Sequence, residues 1–443
     1  MKSFPRAPRL EPSDWADPSQ MSRIFQLVAT ISDMPYLHWE QLRHRPPPAG
    51  YTPLECWKAL KLKRQMSAAF HPRLRAYGPN LLRISRNASI EARLANLDRQ
   101  LGGTITHGGA PIDETTRDRY VSSSLMDEAI HSSLLEGAVS TRQAAKDMLR
   151  EGRGPNNTDE QMIVNNYRAI MRLREMARSP LTAEMVLELH SILTAETLSD
   201  PTGAGRMQTP EENRVYIWDS KHNCIVHQPP PAEELPARLE RLVAFANADD
   251  IEGDNYTHPI VRSILLHFQL AFDHPFFDGN GRLARALFYW SMLRRKYWMI
   301  EFISITRLLY RDRDPYMQAY LFVESDEQDA TYFVLQQLDV IERAVSELHR
   351  YIERKRMEQQ EIQHLVRKSA DLNPRQLALL GHAIRNRDAV YTHESHANSH
   401  RISIVASRID LQSLVKLGYL LQSRSGRKFI YQPAKNLEAR LKR

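Results

Sequence analysis

Cysteine is nearly absent from this chain of 443 residues: only Cys56 and Cys224 occur, far apart and without a CxxC partner. That removes a disulfide framework and a cysteine-ligated zinc site from consideration, and it suits a reducing, cytoplasmic compartment. Long apolar runs are missing too. No stretch approaches the ~18 consecutive apolar residues of a membrane span. The opening MKSFPRAPRLEPSDW has basic residues but no apolar core of a secretion signal. The expectation is a protein with neither a membrane partner nor an export signal. Glycine is scarce at 17 residues, which with 42% hydrophobic and 26% charged residues favours a largely helical folded protein over a disordered or β-rich one. GxxxxGK[ST], a GxGxxG following a strand, and HExxH do not occur, so P-loop, dinucleotide-binding and zincin chemistry lack their motifs. The net charge of +7 favours an acidic partner only if it clusters.

What is present is helical periodicity in a chain too long for one hydrophobic core, so two or three domains are expected. The first hundred residues read as helices joined by turns, with a PPP break at 46–48 followed by helical stretches at Pro53–Met66 and Ala88–Leu101. Further helices are predicted from Arg117 to Leu135, Thr158 to Ala177, Thr182 to Leu193, Leu235 to Phe245 and His258 to Phe272. Val215–Tyr216–Ile217–Trp218 and Cys224–Ile225–Val226 are β-prone and read as a hairpin in this helical setting.

Residues 274 to 285, HPFFDGNGRLAR, combine a base, a metal ligand and an anion cradle at a joint between two helices. His274 can take a proton near neutral pH, and Asp278 can hold a hard cation. Gly279, Asn280 and Gly281 let backbone N–H groups approach an oxyanion at a helix start. Arg282 and Arg285, three apart, share a helical face and can grip one polyphosphate. Phe276 reads as core. Such a set suits chemistry on a nucleotide phosphate.

The string HxFxDGNGRxxR, complete at its eight specified positions, resembles the Fic family motif, and the resemblance extends over residues 106–345. It implies a mainly α protein built on a Fic-type helical bundle with a β-hairpin flap. The implied activity is transfer of AMP from ATP to a Ser, Thr or Tyr hydroxyl of a target protein or of the chain itself. On this resemblance His274 is the general base and Asp278 binds Mg²⁺ between the α- and β-phosphates. Gly279 to Gly281 cradle the phosphates, with the Asn280 side chain donating to the α-phosphate. Arg282 holds the β-phosphate and Arg285 the γ-phosphate. Val215, Tyr216 and Ile217 belong to a candidate target-docking flap. Upstream, Ser132–Ser133–Leu134–Leu135–Glu136–Gly137 has the form [ST]xxxE[GN] and resembles the family's inhibitory motif. There Glu136 competes for Arg285 and Ser132 orients the segment, as in the self-inhibited class with an N-terminal inhibitory helix. Alternatives remain: removal of AMP with Glu136 positioning water, transfer of another phosphate-containing group such as UMP or phosphocholine, or a transcriptional regulator whose Fic core only senses nucleotide.

After a charged spacer helix, Asn373 caps and Pro374 opens a new domain. Helices at 374–386 and 402–417, an extended run near Tyr391, and a hairpin from Tyr419 to Gln432 read as a small C-terminal winged helix-turn-helix domain. It would offer Arg401, Arg408, Arg427 and Lys428 to DNA, or bind protein instead. His393, His396 and His400 lack Cys or carboxylate ligands at metal-site spacing. The expected division is an N-terminal helical region at 1–105, a catalytic core with its inhibitory helix at 106–345, a helical linker at 346–372 and the winged helix domain at 373–436. Homo-oligomerisation is left open.

Overall fold

Side-chain caps fix where the helices begin. Thr52 Oγ1 accepts from the Glu55 N–H at 3.2 Å while the Glu55 carboxylate accepts from the Thr52 N–H at 2.8 Å, a reciprocal box in front of Pro53. Asn157 and Thr182 cap their helices by accepting one backbone N–H each, and Asn373 forms a second reciprocal box with Gln376. The computed structural model describes residues 4–440 apart from 76–80, 86, 103–105, 108–109, 112–113, 220–223, 249–255, 368–371, 401, 426–427, 436 and 438–439. It falls into two units, one of residues 1–106 and 110–348, the other of residues 107–109 and 349–443.

In the first unit α1 (Pro18–Thr30), α2 (Trp39–Leu42) and α3 (Pro53–Met66) precede the hairpin of β1 (Ala68–Arg75) and β2 (Leu81–Ser85), followed by α4 (Ala88–Leu101). That hairpin corrects the purely helical expectation for the first hundred residues. Pro72 interrupts any regular alternation, and the pairing is completed from far away. The Arg83 N–H donates to the Gln328 carbonyl at 3.1 Å, and the Ala330 N–H to the Arg83 carbonyl at 2.8 Å. Short strands β3 (Thr106–His107) and β4 (Ala110–Pro111) lead to α5 (Glu114–Leu135), α6 (Arg142–Glu151), α7 (Thr158–Met176) and α8 (Ala183–Thr194). The hairpin of β5 (Ile217–Asp219) and β6 (Cys224–His227) comes next, then α9 (Leu235–Asn247), α10 (Pro259–Asp273), α11 (Asn280–Arg294), α12 (Ile305–Arg311), α13 (Arg313–Ser325) and the start of α14 (Thr331–Arg367), whose residues from 349 on belong to the second unit.

Helices α10 and α11 pack on each other, and α11 also packs on α7 and α8. Ile264, Leu265 and Phe268 from α10 and Leu283, Leu287 and Trp290 from α11 are fully buried, so the connection from 274 to 279 joins two helices with little freedom to shift. Helix α5 packs on α7 and α12. Its buried Glu128 accepts from the Ser304 hydroxyl at 2.8 Å and the Thr306 N–H at 3.1 Å. A carboxylate on α5 thus caps the start of α12 and fixes α5 in place.

The second unit contains α15 (Pro374–Arg385), α16 (His393–His400), α17 (Ile404–Lys416) and the hairpin of β7 (Leu420–Ser425) and β8 (Lys428–Pro433). Leu380, Leu411, Leu414 and Tyr431 lie at its core, and Tyr391 bridges backbone to backbone with Tyr431. Helix α16 was not expected, because ESHANS offers no apolar periodicity.

Candidate functional site

Helix α10 ends on His274, which takes left-handed backbone angles (φ 46, ψ 53) and donates its N–H to the Leu270 carbonyl at 3.0 Å. A side chain in that region costs roughly 1–2 kcal/mol, and Pro275 follows to stop the helix. The ring Nδ1 faces the Ala271 carbonyl at 3.3 Å. A carbonyl only accepts, so Nδ1 carries the proton and Nε2 keeps its lone pair. Burial pulls the imidazole down to about 4, with His227 and Arg214 acting in the same direction against the Ala271 carbonyl and Glu136. At neutral pH the ring is therefore an uncharged acceptor, the form a base requires.

The loop that follows is braced on both sides. Asn280 is buried, with its Oδ1 accepting from the Phe276 N–H at 3.0 Å and its Nδ2 donating to the Phe276 carbonyl at 2.7 Å. An amide nitrogen carries two N–H groups, so these bonds brace the loop and still leave one donor for the phosphate role expected of Asn280. Phe276 is fully buried, as its reading as core required. Its ring stacks on His190 at 3.7 Å. His190 accepts the Gly205 N–H at Nδ1 (2.9 Å) and therefore donates from Nε2 to the Asp278 carbonyl (2.9 Å). Burial lowers this imidazole too, to about 4. Nothing in the local pattern ELHSIL marks His190 for this work; only its contact with a loop far along the chain reveals it.

Gly279 caps α11 at φ 82, and a Cβ there would meet Thr194 Cγ2 at 2.8 Å, so both backbone angle and space demand glycine. The half-exposed Asp278 carboxylate accepts from the Gly279 N–H at 2.6 Å and from Arg282 Nη2 at 2.9 Å. Arg282 is buried and also donates to the Leu193 carbonyl at 3.0 Å. Arg285, one turn on, is buried as well. Its Nε donates to Ser132 Oγ at 3.0 Å, and its Nη2 to the Ser132 carbonyl at 3.1 Å and to Glu136 Oε1 at 2.7 Å.

Glu136 does more than pair with Arg285. A Cβ on Gly281 would lie 2.2 Å from Glu136 Oε1, so the carboxylate rests against the first turn of α11. That position is the positive end of a helix, where anions bind. Gly137, at φ 101, turns the chain away immediately afterwards. The structure thus brings His274, Asp278, Gly279, Gly281, Arg282, Arg285, Ser132 and Glu136 into one neighbourhood, although α5 and α11 are remote in sequence.

Of the hairpin residues, Ile217 opens β5, whereas Val215 and the exposed Tyr216 precede the strand. In the second unit Arg408 and Lys428 are exposed, while Arg401 and Arg427 lie outside the described residues. Ile404, Val405 and Ile409 of α17 are exposed beside Arg408. His393 meets the Tyr431 hydroxyl at 2.8 Å and His396 meets Asp410 at 3.3 Å. Among the described residues no group of three His, Cys, Asp or Glu is placed to hold a metal, and no helix is long and apolar enough to cross a membrane.

The sequence model of the Fic/DOC family matches residues 180–292. Two curated relatives named protein adenylyltransferase Fic, from Drosophila willistoni and Drosophila grimshawi, are each 24% identical over 214 residues. The match covers 47% of this chain and 39% and 40% of those relatives, so the chain spans well under half of their length. A solved Fic family protein from Desulfovibrio desulfuricans is 17% identical with a TM-score of 0.53, covering 79% of this chain and 97% of that one, and the likeness is one of fold. Helix α10, the loop after it, all but the last two residues of α11 and the β5–β6 hairpin fall within the matched stretch, and the chain carries a Fic/DOC family domain at residues 180–292.

Proposed function

We propose that the protein is an adenylyltransferase that moves AMP from ATP to a hydroxyl of a target protein or of itself and is held inactive by Glu136. The observation that carries this reading is the Glu136 carboxylate at the start of α11, paired with Arg285. A carboxylate there stands in for a phosphate, and its departure frees an anion cradle and an arginine together.

In the reaction the target oxygen attacks the α-phosphorus, its proton passes to Nε2 of His274, and the bond to the β-phosphate oxygen breaks to release pyrophosphate. The neutral ring is ready for that proton without prior deprotonation. The N–H groups of the first turn of α11 stabilise the developing charge, while Arg282 and Arg285 fix the nucleotide. Mg²⁺ fits the donor set: Asp278 presents a hard, half-exposed carboxylate, and this ion commonly takes one or two carboxylates with phosphates and waters. Bound with nucleotide, it would neutralise charge on the leaving pyrophosphate. Removal of AMP, with Glu136 orienting water, is the reverse face of the same reading.

The C-terminal helices and hairpin are proposed as a winged helix module that docks the enzyme on DNA, with Arg408 and Lys428 suited to phosphates and Ile404, Val405 and Ile409 to thymine methyls. Salt-dependent duplex binding, lost in Arg408→Ala, tests that assignment. For the enzyme, wild type, Glu136→Gly and Glu136→Gly/His274→Ala are incubated with α-labelled ATP and Mg²⁺. Labelled protein should rise in the single variant and vanish in the double. No gain in Glu136→Gly would overturn the reading.

A further inference from the structure

The final carbonyls of a helix lack internal donors, and at the end of α10 they are the carbonyls around the candidate base. Each has a donor. The His274 N–H and ring Nδ1 serve Leu270 and Ala271. The Phe272 carbonyl accepts from His227 Nε2 at 2.6 Å. The Asp273 and His274 carbonyls both accept from Arg214 Nη2, at 2.8 and 3.1 Å.

Arg214 lies just before β5 and His227 is the last residue of β6, so the two stems of one hairpin hold the backbone on both sides of His274. A non-glycine residue at φ 46 persists only where its surroundings over-determine it. These stems are themselves anchored. Arg214 Nε donates to the Pro230 carbonyl at 2.8 Å and its Nη1 to Gln208 Oε1, while the Gln208 N–H donates to the Pro275 carbonyl at 2.8 Å. On the other side His227 Nδ1 meets Glu324 Oε1 at 2.6 Å.

We propose that Arg214 and His227 are positioning residues that fix the ring of His274, so that a target segment docked on the hairpin and the base that serves it form one rigid unit. The link is mechanical: the hairpin that would register a target hydroxyl is bonded to the peptide groups that orient the proton acceptor. Their described contacts go to the Pro230, Phe272, Asp273 and His274 carbonyls and to Gln208 and Glu324, apart from the nucleotide cradle of Gly279, Gly281, Arg282 and Arg285. Their loss should therefore slow the step that uses His274 and leave ATP binding alone. The inference rests on the adenylyl-transfer reading, and the experiment separates the two.

The test uses the full chain carrying Glu136→Gly, with self-labelling from α-labelled ATP as the rate and ¹⁵N NMR of the histidine side chains as a second readout. Arg214→Met should cut the rate at saturating ATP by about tenfold or more, the scale of a small misplacement of a reacting group, while half-saturation by ATP changes by less than about twofold. Arg214→Lys, which keeps one donor, should recover part of the rate. His227→Gln, which keeps a donor for Phe272, should lose less than His227→Leu. In the NMR spectra the His274 ring should pass from one fixed Nδ1–H tautomer to a mixture in Arg214→Met. An unchanged rate and tautomer in Arg214→Met would overturn the proposal. So would a rate loss matched by weaker ATP binding and not rescued by lysine. If Glu136→Gly labels nothing, the transferase reading fails, and the tautomer alone judges the clamp.

Discussion

Gly281→Ala should switch the protein on. The added Cβ would lie 2.2 Å from Glu136 Oε1 and 3.0 Å from its Cδ, so the carboxylate has to leave. What yields is the far end of a flexible side chain, and the helix itself gains, since alanine is better than glycine inside a helix by ~1 kcal/mol. The lost contact is the 2.7 Å charge-assisted bond from Arg285, a class of interaction contributing about 1.5–3 kcal/mol. Removing it raises the population open to ATP roughly ten- to hundredfold. Ser132 still holds Nε and Nη2 of Arg285, which argues for the lower end, near ~10-fold. The assay is incorporation from α-labelled ATP by wild type, Gly281→Ala, Glu136→Gly and the double variant. Because both substitutions act on one contact, their effects should not add: the double variant should label no faster than Glu136→Gly. Comparing those two also isolates any harm the methyl does to phosphate binding. A Gly281→Ala protein as silent as wild type, beside an active Glu136→Gly and an equally active double variant, would refute the placement of the carboxylate.

Other outcomes follow from the same geometry. Gly279→Ala combines a left-handed φ of 82 with a 2.8 Å clash against Thr194; it should cost at least about 1–2 kcal/mol, read as a lower melting temperature, and abolish labelling in the Glu136→Gly background. Glu128→Ala leaves the Ser304 hydroxyl and Thr306 N–H without their acceptor and should destabilise by roughly 1–3 kcal/mol, measured by urea unfolding. His274, His190, His38 and His267 are held down to about 4, 4, 3 and 3 by burial. The unfolded chain therefore binds more protons once pH drops below their ordinary value of 6.5, and stability should fall as pH is lowered from 6.5 towards 4. Asp273, raised to about 6 by burial, works against this trend. Melting curves between those limits give the sign; a stability that rises on acidification would contradict it.

The helix, loop, helix arrangement around His274 was legible because two strongly apolar stretches flank a string whose residue types each carry chemistry. The helix start at Pro374 was legible from its Asn373 cap. The meeting of Glu136 with Arg285 was not readable from periodicity, since it joins helices far apart in sequence; the resemblance of SSLLEG to a known motif supplied it. Neither route suggested His190, Arg214 or His227. Their partners are backbone carbonyls of a distant loop, and a carbonyl leaves no mark in sequence. A bracing role of Asn280 went unread for a related reason: the spacing shows an amide near a phosphate cradle, but only the fold shows that it also bonds the Phe276 backbone. The β1–β2 hairpin depends on pairing with residues 328–330, which no local window contains.

A carboxylate at the head of α11 is proposed to occupy the place of a phosphate in an AMP-transferring site. Parallel incubations of the Glu136→Gly protein with α-labelled and γ-labelled ATP test it most directly. Label on protein from the α position alone, lost on adding His274→Ala, is the predicted result. Label from the γ position, or none from either, would contradict it.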